Sequence, residues 1–154
     1  MKTKFKDFIK ETLYNTDTGF WWGKKGAGVL PYCTNTKRFL ISYRSADVLE
    51  PHTWGVWGGK IDDDENPQEA VIREIQEETG YEGEVTLLDS YVFKDKNFKY
   101  YNFIGIIENE FKPILDWETE NYKWMSFDDL LILEPKHFGL KALIENDYEQ
   151  LKSL

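Results

Sequence analysis

The segment from Gly59 to Tyr81, GKIDDDENPQEAVIREIQEETGY, constrains this chain more than any other. Its middle carries the start and stop signals of one helix. Asn66 is suited to cap the first turn, Pro67 to fill the first helical position, and Glu69, three residues after the cap, to close a capping box. Gly80 supplies the left-handed residue that ends such a helix. At about 100° per residue, Val71, Ile72, Ile75 and Thr79 gather on one side, while Glu74, Glu77 and Glu78 gather on another. One face packs and the other presents carboxylates.

That acidic face works against the helix that carries it. Glu74 with Glu77 and Glu74 with Glu78 are like-charge pairs at i,i+3 and i,i+4, each costing ~0.2–0.5 kcal/mol in an isolated helix. They also lie toward the negative end of the helix dipole. Hard divalent cations such as Mg²⁺ take oxygen ligands and turn this repulsion into binding. A solvated acidic face is the plainer alternative, but here a cap, spaced glycines and an arginine accompany the acids. Arg73 reads as a residue that orients Glu77 one turn on, or as a strut of the fold, rather than as a substrate ligand.

Composition limits what the acids can serve. The chain has 154 residues, enough for one domain with a proper core, expected to span 1–154. A net charge of −9 argues against broad binding to extended nucleic acid or to anionic membranes. The single cysteine, Cys33, cannot form an internal disulfide and reads as a small strand residue in a reducing compartment. The first residues, MKTKFKDFIKETLYN, lack the continuous apolar stretch of a signal peptide or membrane span, so a cytoplasmic location is expected. Phe5, Phe8, Ile9 and Leu13 recur at helical spacing and predict a short amphipathic helix within an N-terminal extension over 1–23.

The remaining elements alternate without a linker. Gly26–Tyr32 and Arg38–Tyr43 read as a hairpin closed by Thr34-Asn35-Thr36, and Val56–Lys60 as a short strand before the acidic loop Asp62–Asn66. Val85–Lys94 and Tyr100–Ile107 form a second pair about Asp95-Lys96-Asn97. Tyr122–Met125 is a last strand, followed by a short helix capped by Ser126 and a final helix over Gly139–Leu151, with Leu140, Leu143, Ile144 and Leu151 inward. Strands around one central helix, closed by a C-terminal helix, predict an α/β domain with helices on both sides of a mixed β-sheet.

The spacing of Gly59, Glu65, Arg73, Glu74, Ile75, Glu77, Glu78 and Gly80 resembles the signature box of the Nudix hydrolase family, G-x5-E-x7-R-E-U-x-E-E-x-G-U with U bulky and apolar. Tyr81 stands where an aliphatic residue is more usual. The resemblance implies an α/β/α sandwich and a hydrolase that uses Mg²⁺, or Mn²⁺, to cleave a diphosphate bond in a nucleoside diphosphate linked to another group. It implies metal ligation by Glu74, Glu77, Glu78 and the Gly58 carbonyl, with Trp57 where a proline is frequent. Glu65 is expected to stand behind the ligands, and Gly59, Arg73 and Gly80 to shape the box.

The same likeness singles out Glu118, six residues before Trp124, as a further metal-binding or catalytic carboxylate, with Glu120 as its rival. The general base is expected at Glu74 or Glu118. Arg44 and Lys60 are suited to neutralising a polyphosphate. Trp54, Trp57, Tyr100 and Phe103 are the aromatics from which a base-stacking residue would come. His52 and His137 offer no metal spacing, and a loop histidine is the expectation for His52. The leading substrate is a nucleoside triphosphate or modified nucleotide. Dinucleoside polyphosphates, ADP-ribose and nucleotide sugars are rivals, as is a non-catalytic nucleotide sensor. A monomer or homodimer is expected.

Overall fold

Runs rich in β-branched and aromatic residues build a seven-stranded mixed sheet in the computed structural model, which describes residues 25–48, 50–95 and 97–154. The strands are β1 (Lys25–Cys33), β2 (Arg38–Arg44), β3 (Trp54–Gly55), β4 (Trp57–Lys60), β5 (Thr86–Asp95), β6 (Phe98–Ile107) and β7 (Thr119–Met125). The helices are α1 (Pro67–Thr79), α2 (Phe127–Ile132), α3 (Phe138–Asn146) and α4 (Tyr148–Lys152). The helix expected within residues 1–23 lies outside the described residues. Among the described residues, no helix is long and apolar enough to cross a membrane.

The path β3-β2-β1-β6-β5 forms the sheet, with β4 added to β1 and β7 to β2. Among the described strands, only β1 and β6 run parallel to each other, aligned from Lys25 against Lys99 to Cys33 against Ile107. The β5–β6 hairpin forms as expected. The first hairpin is reduced to its closed end, where Tyr32 faces Phe39 and Cys33 faces Arg38. Farther along, Gly26–Val29 leave β2 and pair with β4, placing Gly28 opposite Gly58 and Ala27 opposite Gly59. This exchange of partners inserts the start of the acidic box between two strands that the sequence would join.

Alternation along β1 sends Ala27 and Val29 to one face and Leu30 and Tyr32 to the other. On the first face, Ala70, Val71 and Ile75 of α1 pack with Trp57, Ile61 and Phe103. On the second, Leu130, Leu140, Leu143, Ile144 and Leu151 from α2, α3 and α4 pack with Phe39, Ile41 and Ile104. Two cores with one sheet between them make the expected α/β/α sandwich. Ala70 takes the buried place on α1, and Ile72 is only half-buried.

The expected single C-terminal helix is two helices, broken at Asp147, whose backbone leaves helical geometry at φ −121°, ψ 29°. The Asp147 carboxylate accepts a hydrogen bond from Ser90 Oγ of β5, an attraction to the sheet that helical spacing alone does not contain. The four inward residues are nevertheless all buried.

Candidate active site

Helix α1 begins as its sequence dictates. Asn66 Oδ1 accepts from Glu69 N at 2.8 Å, and Glu69 Oε1 accepts from Asn66 N at 3.1 Å. Gly80 stops the helix at φ 75°, its N–H donating to the Gln76 carbonyl at 2.9 Å. Between these ends, positions 74 and 78 are one turn apart and share a side, whereas 77 is rotated toward solvent. Glu78 is 5% exposed and Glu74 nearly as well covered, but the Glu77 side chain is 57% exposed.

Arg73 organises the loop ahead of the helix. It grips Glu65 with two donors, Nε to Oε2 at 2.8 Å and Nη2 to Oε1 at 2.9 Å. It also donates to the Lys60 carbonyl at 3.0 Å, to Glu74 Oε1 at 3.0 Å and to Glu77 Oε2 at 3.2 Å. The strut reading of Arg73 thus describes its geometry better than an attachment to Glu77 alone. The forked hydrogen bond with Arg73 holds the Glu65 carboxyl below the usual range and Arg73 itself well above its own.

Two glycines let β4 lie close against the helix on one side and β1 on the other. A Cβ on Gly59 would lie 2.8 Å from Glu74 Oε1, so the Glu74 carboxylate rests directly over this backbone. Gly58 adopts φ 157°, and a Cβ there would strike the Ala27 carbonyl oxygen at 2.2 Å. Glu74 shares a hydrogen bond with Glu78, and burial raises the carboxyl pKa of both. Glu78 is pushed furthest, by burial first and then by the charges of Glu74 and Glu118.

A cavity of about 300 Å³ opens beside this pair, lined among others by Arg44, Gly58, Gly59, Lys60, Glu74 and Glu118. These residues come from β2, β4, α1 and the approach to β7, and the sheet brings them together. Glu120 lies elsewhere, exposed, with its Oε2 3.3 Å from His52 Nε2, and His52 stacks on Tyr43. Among the described residues, no three carboxylate, imidazole or thiolate side chains converge as a ready cage for one ion. The donor chemistry nonetheless fits a hard divalent cation. Glu78 is buried and Glu74 nearly so, the two are adjacent and acceptor-only when ionised, Gly59 brings backbone against Glu74, and Gly58 lines the same cavity.

Of the four aromatics expected to include a stacking residue, Trp57 and Phe103 belong to the α1-side core, and Trp57 Nε1 donates to the Leu40 carbonyl. Trp54 is buried against Tyr43 on the other face. Tyr100 alone of the four lines the cavity, and it is buried too. Trp117, passed over in the sequence, lines the mouth of the cavity and is 65% exposed. His137 also lines it as the N-cap of α3, with Nδ1 accepting from Gly139 N at 2.9 Å. Burial and the charge of Arg44 push its imidazole pKa down to about 3, so the ring is neutral. A polar residue before an apolar period is a capping signal, but only the contact of His137 N with the Trp54 carbonyl brings it to the site.

The model of the NUDIX domain matches residues 24–146. The chain therefore belongs to the Nudix family, as a hydrolase acting on pyrophosphate bonds. Among curated relatives, an 8-oxo-dGTP diphosphatase of Proteus vulgaris is 33% identical over 100 residues, which are 61% of this chain and 77% of the relative. A putative 8-oxo-dGTP diphosphatase 3 of Mycobacterium tuberculosis is 26% identical over 139 residues, 82% of this chain but 64% of that protein's own length. Among solved structures, a Nudix hydrolase from M. Smegmatis, RenU, superposes with a TM-score of 0.69 at 20% identity, covering 87% of this chain and 86% of its own. A MutT NUDIX hydrolase from Burkholderia pseudomallei gives 0.60 at 24%, covering 79% and 97%.

Proposed function

We propose that this chain is a divalent-metal-dependent pyrophosphohydrolase of nucleoside triphosphates or modified nucleotides, releasing a monophosphate and pyrophosphate. One observation carries the proposal: the buried Glu74–Glu78 pair stands beside a cavity that also holds Arg44 and Lys60. Carboxylates for a cation and cations for a polyphosphate then meet in one place. The relatives named for 8-oxo-dGTP favour the triphosphate among the rival substrates.

A bound Mg²⁺ or Mn²⁺ would screen the phosphate oxygens and make a water more acidic. Glu74 and Glu78 would hold it, with the Gly58 carbonyl, and with Glu77 if Arg73 releases it. Arg44 and Lys60 neutralise the oxygens distal to that cation. Glu118 lines the cavity, while Glu74 is already engaged by Arg73 and Glu78. We therefore assign Glu118 the proton of the attacking water: the water oxygen bonds to phosphorus, the anhydride P–O bond breaks, and the leaving phosphate keeps that electron pair. Glu65, Arg73, Gly59 and Gly80 shape the box without touching substrate. The exposed face of Trp117 stacks on the nucleobase. The protein acts as one cytoplasmic domain, as a monomer or homodimer.

The test is release of phosphate and pyrophosphate from nucleoside triphosphates, dinucleoside polyphosphates and nucleotide sugars, with Mg²⁺, with Mn²⁺ and with chelator, alongside Glu78→Gln. Metal-dependent turnover of the triphosphates, lost in the variant, is expected. Tight nucleotide binding without turnover would make the chain a sensor instead.

A further inference from the structure

The chain leaving β2 and the chain entering β7 are tied by one hydrogen bond, and each sends a residue to the mouth of the cavity. Arg44 pairs with Thr119 where the two strands end, and Ser45 N donates to the Glu118 carbonyl at 3.0 Å. On either side of that bond the backbone turns on a side chain. Ser45 Oγ accepts from Asp47 N at 3.3 Å, and Asp116 Oδ1 accepts from Glu118 N at 3.0 Å. The second turn throws Trp117 outward at its centre, and the first leaves Asp47 exposed. Both line the cavity, with half-buried Val48 next to Asp47.

The mouth therefore sets a carboxylate beside an aromatic face. The turn takes up the backbone N–H of Asp47, and among the described residues no donor is bonded to its side-chain oxygens. Such a charge repels the phosphates that Lys60 and Arg44 attract, so it does not serve that end of a nucleotide. An ionised carboxylate accepts hydrogen bonds and donates none. A base that lies on Trp117 with its edge toward Asp47 must then present donors. Guanine presents two side by side, N1–H and the 2-amino group, spaced for the two oxygens of one carboxylate. Adenine and cytosine set one amino donor beside a bare ring nitrogen, and uracil flanks its single N–H with carbonyls. Each of these turns a lone pair on the carboxylate.

We infer that Asp47 reads the base, its two oxygens accepting from N1–H and the 2-amino group of a guanine stacked on Trp117, so that the chain selects guanine-type nucleotides. The inference rests on the reading of this cavity as the nucleotide site with Trp117 at the base. It makes Asp47 a specificity-determining residue that touches neither the phosphates nor the metal.

Calorimetry in Mg²⁺ compares the α,β-methylene analogues of GTP, ITP and ATP, which resist the proposed cleavage, on wild type, Asp47→Asn and Asp47→Ala. Wild type should bind the GTP analogue about tenfold tighter than the ATP analogue, as for one hydrogen bond to a charged group, with the ITP analogue, which lacks the 2-amino group, between them. Asparagine keeps the shape of the side chain but offers one acceptor and one donor, a match for the edge of adenine, so Asp47→Asn should bind the GTP and ATP analogues within about twofold of each other. Asp47→Ala, which offers neither, should lose the preference too. Tripolyphosphate and Mn²⁺ should bind both variants at least as tightly as wild type. Equal binding of the GTP and ATP analogues by wild type would overturn the inference, as would a guanine preference that survives in both variants. A loss of tripolyphosphate or Mn²⁺ affinity in the variants would also overturn it, because Asp47 would then serve the phosphate end. A guanine preference that depends on Asp47, in a protein that cleaves no nucleotide, would remove the proposed activity and leave this contact standing.

Discussion

Glu65 and Glu78 belong to the same acidic box, one just ahead of helix α1 and the other in its last turn, yet their surroundings are opposite in sign. Glu65 is held by a two-pronged arginine, and its pKa is lowered. Glu78 is more deeply buried, and the charges that act most on it are those of Glu74, Glu118 and Asp116, all negative, so its pKa is raised. Arg73 thus completes one half of the box within the protein. The other half keeps a charge deficit that a divalent cation would fill. Stability and activity should divide along the same line.

The largest effect expected is on activity, at Glu78. Glu78→Gln should lower kcat by about 10³-fold, within the range for loss of a principal carboxylate in metal or acid–base work. In chelator the variant should melt at or above the wild-type temperature, because the amide takes a buried titratable carboxyl out of the pair and keeps an N–H donor for Glu74. Parallel kinetics and melting curves check this. A variant that unfolds would mean that Glu78 is structural, and that the contrast with Glu65 is false.

Arg73→Gln should show the reverse. It leaves Glu65 and Glu74 without their cation and costs about 2 kcal/mol, less than the ~3–5 of a fully buried pair because Arg73 keeps some solvent contact. Its pH dependence follows from the sign of the Glu65 shift. A carboxylate with a depressed folded-state pKa adds stability above its unfolded pKa, near ~4.3, and loses it as pH falls through the folded value. Wild type should therefore lose more melting temperature between neutral pH and about pH 3 than Arg73→Gln, in which that stability is already gone. Equal acid sensitivity in both would show that the Arg73–Glu65 grip contributes little.

The half of the box that Arg73 completes was the more legible in sequence, since its determinants are local. Asn66, Pro67, Glu69 and Gly80 announce the helix ends, and the structure has each of them in place. The C-terminal helix was misread because its apolar period runs on past Asp147, while the break depends on Ser90, far away in the chain. The cavity was legible in its charged residues, Arg44, Lys60, Glu74 and Glu118, but not in Trp117 or His137. Those two enter through the register of β3 and the approach to β7, where pairing is non-local. Of the four aromatics from which a stacking residue was expected, Trp54, Trp57 and Phe103 belong to the two cores and Tyr100 lines the cavity, for large apolar rings are buried by default and only the fold reveals which of them reach the site.

Trp117→Ala sharpens the comparison from the substrate side. Stacking on an aromatic face is worth ~1–3 kcal/mol per base, so KM for nucleoside triphosphates should rise about tenfold with kcat little changed. Tripolyphosphate, which has no base, should bind the variant and wild type alike. A KM that is equal for nucleotide and tripolyphosphate in both proteins would dismiss Trp117 as the stacking residue.

The smallest effect is expected at Glu77, where the two halves of the box meet. Its carboxylate is more than half exposed and lies 3.2 Å from Arg73, on the side of the helix turned away from the buried pair. Exposed pairs of this kind contribute little, so Glu77→Gln should cost under about 0.5 kcal/mol. If the Glu74–Glu78 pair supplies most of the metal affinity, kcat should fall by less than about tenfold, far short of the Glu78→Gln loss. Metal titrations of activity in the two variants decide the matter. A Glu77→Gln loss as large as that of Glu78→Gln would mean that Arg73 releases Glu77 when metal binds. The arginine would then be shared between the two halves, and its bond to Glu77 would be a contact that the cation must break.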